Sequence, residues 1–97
     1  DERERLVTDL GDKDSMILRN HGLLTVGETV ARAWTTMWQL ERACQIQILA
    51  QSTGQPIRQA PLTAIEKTAG LFDGNDGSME WGWLLRTIDK KDESYKQ

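Results

Sequence analysis

Apolar residues recur along the chain with changing spacing, and each change marks the edge of an element. From Glu2 to Leu10, charged residues are interrupted by Leu6, Val7 and Leu10, spaced i, i+1 and i+4, which predicts a short amphipathic helix. Gly11 supplies a helix stop, and Asp12-Lys13-Asp14 a polar turn. Met16-Ile17-Leu18 is too short for a helix and is bounded by turn residues, so it predicts a buried strand ending at Asn20-His21-Gly22. Residues at the carboxyl end of a parallel strand point into the crevice where α/β folds hold ligands, which makes the position of His21 the one to follow. Leu23 and Leu24 continue in an extended conformation beyond the glycine.

Thr25-Val26-Gly27-Glu28 has capping-box spacing and predicts a helix start. No proline intervenes from there to Ser52, and most residues are good helix formers. Val26, Val30, Ala33, Met37, Leu40, Cys44 and Ile48 step by three and four into one apolar seam, flanked by Trp34 and Trp38. Ala43, Ile46 and Leu49 carry apolar surface further round. A helix over 26–52 would be ~39 Å long, longer than a small domain is wide. Its apolar surface exceeds what one strand covers, so another layer or another subunit must pack on it. Gly54 ends the helix and Pro56 prevents its resumption.

Gln55 to Pro61 is a linker with two prolines. Thr63-Ala64-Ile65-Glu66 repeats the capping-box spacing and predicts a helix with Ile65, Ala69 and Phe72 on one face. Asp73-Gly74-Asn75-Asp76-Gly77 is a turn cluster. Ser78 is the expected N-cap of a last helix, with Trp81, Leu84, Leu85 and Ile88 inward, and Lys90 to Gln97 is a charged tail, mobile or docked.

Composition narrows the class. Ninety-seven residues, 38% hydrophobic and 28% charged, suit one ordinary soluble domain. A net charge of −3 leaves no electrostatic footprint for nucleic acid. No apolar run approaches the ~18 residues of a membrane span. Cys44 is the only cysteine, which excludes an intrachain disulfide, favours a reducing compartment and makes the cytoplasm the expected location. The chain begins at Asp1 rather than at methionine, as a processed product or a piece of a longer protein would.

The candidate chemistry is sparse. His21 is the only histidine, with two open readings: a zinc ligand at a strand end, or a polar residue satisfied by backbone groups. Catalytic zinc takes about three protein ligands plus an open position, and no H-x-H or H-E-x-x-H pair exists here. Cys44 lies on the apolar seam without a basic neighbour there, as a buried inert thiol does. Trp34 and Trp38, at i and i+4, have two readings, stacking on a ligand or the commoner core or interface packing. Glu41 and Arg42, one turn along that flank, either line a site or, more commonly for such residues, form a solvated or interface ion pair. The aspartates of 73–77 lack the spacing and terminal glutamate of a calcium loop.

The run Met-Ile-Leu-Arg-Asn-His-Gly-Leu-Leu-Thr-Val-Gly-Glu-Thr-Val (Met16 to Val30), followed by Ala33-Trp34 and Met37-Trp38-Gln39-Leu40-Glu41-Arg42-Ala43-Cys44-Gln45-Ile46-Gln47, closely resembles the class II aldolase/adducin family. Trp83-Leu84-Leu85-Arg86 and Asp92-Glu93-Ser94-Tyr95 resemble the tail of bacterial-type members. The resemblance is specific over about residues 6–49 and implies the carboxyl-terminal part of an α/β/α three-layer sandwich, helix-rich with one or two short strands. One partial domain over 1–97 follows, with a strand and long-helix core in 1–54 and helices and tail in 55–97.

In family enzymes, which include sugar-phosphate aldolases, epimerases and dehydratases, three histidines hold a zinc ion. The resemblance matches His21 to the histidine that stands alone in the second half of the domain. The H-x-H pair and the acid/base carboxylate belong to the first half and are absent from this sequence. The implied cofactor is therefore zinc, held only with ligands from an amino-terminal half, and the implied chemistry is polarisation of a substrate carbonyl and stabilisation of an enediolate. Homo-oligomers, commonly tetramers, are implied, with a small-molecule substrate for the full domain, no nucleic acid and no membrane; Tyr95 in the tail either reaches a neighbour's site or, as tail tyrosines more often are, is simply exposed. Two functions follow: part of a zinc-dependent lyase that is incomplete alone, or a non-catalytic adducin-like assembly module.

Overall fold

The computed structural model describes all residues from Asp1 to Gln97. The elements run α1 (Glu2–Leu10), β1 (Ser15–Leu18), β2 (Gly22–Thr25), α2 (Val30–Ser52), α3 (Leu62–Asp73), α4 (Ser78–Asp89) and a terminal 3-10 turn (Ser94–Lys96). The apolar run at 16–18 does form a strand, but its partner is β2, in an antiparallel hairpin with Met16 opposite Leu24 and Ile17 opposite Leu23. His21 therefore lies in a hairpin turn rather than at the end of a parallel strand. A short local turn brings the two strands together where a parallel pair would need a crossover.

Three helix starts differ from the expected caps, two of them for a tertiary reason and one for a local one. Thr25 is taken up by the ladder opposite Ser15, and its hydroxyl donates to the Ala33 carbonyl at 2.9 Å. The start of α2 moves on to Val30, where the Thr29 hydroxyl oxygen accepts the Arg32 amide at 3.1 Å. Thr63 is not a cap either. Pro61, with φ −58° and ψ 144°, occupies the cap position of α3, and its carbonyl receives the Ala64 and Ile65 amides.

Ser78 is the first residue of α4 rather than its cap, because Gly77 precedes it in the left-handed region at φ 79°. A Cβ at Gly77 would lie 2.6 Å from both the Ala31 carbonyl oxygen and Thr35 Oγ1, so only glycine lets the start of α4 abut α2. The side chains of the preceding turn do the capping: Asn75 Oδ1 accepts the Gly77 amide and Asp76 Oδ1 the Ser78 amide, both at 2.9 Å.

Packing centres on α2, which contacts β2 and α4. Trp34 meets Trp81 of α4 edge-on, with centroids 6.3 Å apart. Arg32 ties two further segments to α2, donating to the Phe72 carbonyl at 2.8 Å and lying 3.8 Å from the Asp14 carboxylate. The predicted inward face of α4 (Trp81, Leu84, Leu85, Ile88) is half-buried, whereas the predicted α2 seam is covered only in its middle. Val30 and Ile48 stay 71% and 65% exposed, and Val26 falls outside the helix.

No apolar side chain is fully buried; the buried residues are Thr35 and Gly77. The accessible surface is 8401 Å². A compact chain of this mass exposes roughly 5,600 Å². The Cα radius of gyration is 16.5 Å, against about 12.5 Å for a compact domain of this length. The 97 residues are thus two layers of helix and hairpin with much of their apolar surface uncovered.

Candidate functional site

The Asn20-His21 turn owes its shape to Asn20, a non-glycine residue at φ 62°, and to the His21 amide, which donates back to the Leu18 carbonyl at 3.3 Å. Asparagine tolerates that left-handed conformation better than most residues, so the turn closes without a glycine at its apex. The imidazole is exposed and borders a groove of about 590 Å³ between the hairpin and α1, where Glu2, Arg5 and Asp9 face Arg19. The hairpin is fixed to α2 through Thr25 and by the Arg32–Asp14 pair, and its open end is closed by a hydrogen bond from the Val26 amide to the Asp14 carbonyl (2.9 Å).

No three His, Cys, Asp or Glu side chains come together in a geometry able to hold a metal ion. One exposed imidazole does not make a catalytic zinc site, and these residues by themselves do not fit the ion. Glu2 and Asp9 approach the same groove as His21 but do not converge with it into a ligand set.

The other candidates take ordinary roles. Cys44 is a half-buried free thiol on α2. The Glu41–Arg42 pair does not form: Glu41 accepts from Gln45 Nε2 at 3.0 Å, and the Arg42 guanidinium stacks 3.9 Å over the Trp38 ring. In the 73–77 turn the Asp76 carboxyl is held below its usual range by the Ser78 backbone amide it accepts, which is capping rather than cation binding. The tail is docked. The Tyr95 hydroxyl donates to the Asp89 carboxylate, which pushes the phenol up to about 12, and Lys96 lies 3.2 Å from the same carboxylate.

Sequence reasoning passed over Arg32, Gly77 and Glu80. A lone arginine early in a helix carries no local signal for a clamp between β1 and α3, and the close approach at Gly77 exists only once α4 meets α2.

The family model for the class II aldolase and adducin N-terminal domain matches residues 1–48. A protein of Caulobacter vibrioides named for aldolase class 2 is 42% identical over 98% of this chain and 38% of its own length. The chain belongs to the class II aldolase and adducin family. An adducin-related protein of Schizosaccharomyces pombe is 41% identical over 98% of this chain and 32% of its own. The crystal structure of an aldolase II superfamily protein from Pseudomonas syringae superposes with a TM-score of 0.86 at 42% identity, covering 99% of this chain and 40% of that one.

The helix-rich fold with its two-stranded sheet is thus a class II aldolase/adducin fold, and the chain spans about two fifths of the length of the bacterial relatives it matches. Relatives of both the aldolase and the adducin kind share it. No helix is long and apolar enough to cross a membrane.

Proposed function

We propose that this chain is part of a class II aldolase-type, zinc-dependent lyase domain acting on a sugar phosphate or similar hydroxy-carbonyl substrate, and that His21 is its one contribution to the metal. The observation that carries the reading is the single imidazole presented to solvent on a turn whose hairpin is anchored by two contacts to α2, with no internal acceptor holding its side chain. An assembly surface has no need of a histidine there. The remaining donors and the acid/base carboxylate come from outside residues 1–97, so catalysis needs more than this chain.

Isothermal titration with zinc tests this in two steps. The chain alone shows no tight stoichiometric site. A fusion to the portion of the Pseudomonas syringae protein that this chain does not match binds one zinc per domain, and His21→Ala weakens that binding by at least about tenfold, as loss of a ligand costs no less than loss of its outer-shell support. A tight site in the 97 residues alone, or a fusion indifferent to His21→Ala, overturns the proposal.

The uncovered faces of α2 favour a second reading, a non-catalytic adducin-like module in a homo-oligomer, tetrameric by family precedent. Ile46, Ile48 and Leu49 are each about two-thirds exposed, a waste of apolar surface unless another layer or subunit meets it. Retained self-association in a fusion that binds no zinc supports this reading over the first.

A further inference from the structure

On the side of the molecule formed by α2 and α4, Trp34, Trp38 and Trp83 converge with Met79 around an open groove of about 450 Å³ whose remaining wall is Glu80. None of its lining residues borders the groove at His21. Glu80 is the anomaly. Its Oε1 accepts from Asn75 Nδ2 at 3.1 Å, while Oε2 is shielded from water and has no hydrogen-bond donor. No Lys or Arg pairs with it. A shielded carboxylate oxygen without donor or counter-ion, on a residue that lines the same groove as three indole rings, sits where apolar walls can hardly solvate it, with Asn75 and the first turn of α4 as its only support.

We infer that this groove binds a methylated ammonium group. Indole faces attract cations through their quadrupole, and a cage of aromatic rings beside a carboxylate suits a quaternary nitrogen. The rings and thioether offer almost no acceptors for N–H groups, and Glu80 Oε2 is covered. A guanidinium or primary ammonium entering the groove would lose hydrogen bonds to water that the walls do not replace. A trimethylammonium group has none to lose, sets its methyl groups against the rings, and lies beside the Glu80 carboxylate. The cation affinity of these rings is already visible at Trp38, where the Arg42 guanidinium stacks at 3.9 Å. Arg42 does not line the groove, so Glu80 is the one acidic or basic residue that does.

The test compares choline with its neutral isostere 3,3-dimethylbutan-1-ol on the 97-residue chain, following the indole N–H resonances of the four tryptophans. Choline shifts the Trp34, Trp38 and Trp83 signals saturably and binds about tenfold tighter than the alcohol, within the range of cation–π attraction. Glu80→Gln, which keeps the acceptor for Asn75, removes the preference for choline, while Trp83→Ala weakens both ligands. Equal binding of choline and the alcohol to the unmodified chain, absence of saturable shifts with choline, or a choline preference that survives Glu80→Gln each overturns the inference; the first two need no variant and so do not depend on a mutant's folding.

Discussion

Gly77→Ala is the sharpest test of how α4 is held. Two costs add at this position. An alanine at φ 79° must adopt the left-handed conformation, at about 1–2 kcal/mol. Its Cβ would also lie 2.6 Å from the Ala31 carbonyl oxygen and 2.9 Å from the Ala31 carbonyl carbon, atoms of helical backbone that cannot swing aside. Relief requires α4 to move off α2, an overpacking cost of about 1–3 kcal/mol. Together these reach about 2–5 kcal/mol, a large fraction of the stability of any small domain. Gly54→Ala is the matched control, since Gly54 has φ 73° but nothing within 4 Å of its would-be Cβ, so it incurs the conformational cost alone. Urea unfolding at fixed protein concentration, followed through tryptophan emission, reads both variants. Trp81 packs on Trp34, so loss of the α4 contact also changes the emission of the folded state. Gly77→Ala is expected to be less stable than Gly54→Ala by at least about 1 kcal/mol. Equal midpoints would show that α4 does not press on α2 at this point, and the account of Gly77 would fall.

Other outcomes are as specific. Thr29→Ala removes the side-chain acceptor of the Arg32 amide and should destabilise the start of α2 by about 1 kcal/mol, with faster hydrogen exchange at Arg32 and none at the far end of the helix; uniform exchange along α2 would contradict this. Tyr95, the only tyrosine, should titrate near 12 by tyrosinate absorbance. Its raised value means that docking of the tail is fully favoured below the ordinary phenol value of 10.0 and is lost as pH rises towards 12; Asp89, lowered by the same bond, adds docking above 3.8 that is lost as pH falls further. A tyrosine titrating at 10 would place the tail free in solution. Sedimentation of the chain should show concentration-dependent self-association, because its accessible surface exceeds that of a compact protein of its mass by roughly 2,800 Å²; a stable monomer at high concentration contradicts that.

The helices and the two extended segments were legible from spacing alone; the starts of α2, α3 and α4 were not. The helix over 2–10, the extended segments either side of His21, the end of the long helix at Ser52 and the break at 73–77 all follow from period, glycine and proline. Two of the helix starts fail for one shared reason. A Ser or Thr can cap a helix only if nothing else claims it, and Thr25 is claimed by β1 and Ala33, while Ser78 yields to a glycine demanded by packing. At the candidate site His21 was legible because it is unique, and its turn because Asn-His-Gly cannot continue a strand. The antiparallel partner was hidden, since Leu23-Leu24 alone gives no direction of pairing. The tryptophan groove was hidden more deeply. Trp83 lies off the inward face of α4, and only the closure of α4 on α2 brings it into one groove with Trp34 and leaves Glu80 Oε2 without a donor.

The two halves of α2 carry different burdens. Its first two turns hold the contacts that fix the His21 hairpin to the helix: Thr29 caps them, Arg32 reaches both Asp14 and Phe72, and Ala33 receives the Thr25 hydroxyl. Its last two turns hold nothing, and Ile46, Ile48 and Leu49 stand in solvent. A change in the first half therefore moves the imidazole, whereas a change in the second half alters only what can dock against the helix. This division separates the two functions proposed for the chain. Leu49→Gln should leave the turn and its histidine untouched while weakening self-association, and Arg32→Gln should loosen the turn while leaving the apolar end of α2 intact. One helix can therefore serve a metal-binding enzyme and an assembly module alike, with the retention of His21 and its anchors distinguishing the first use from the second.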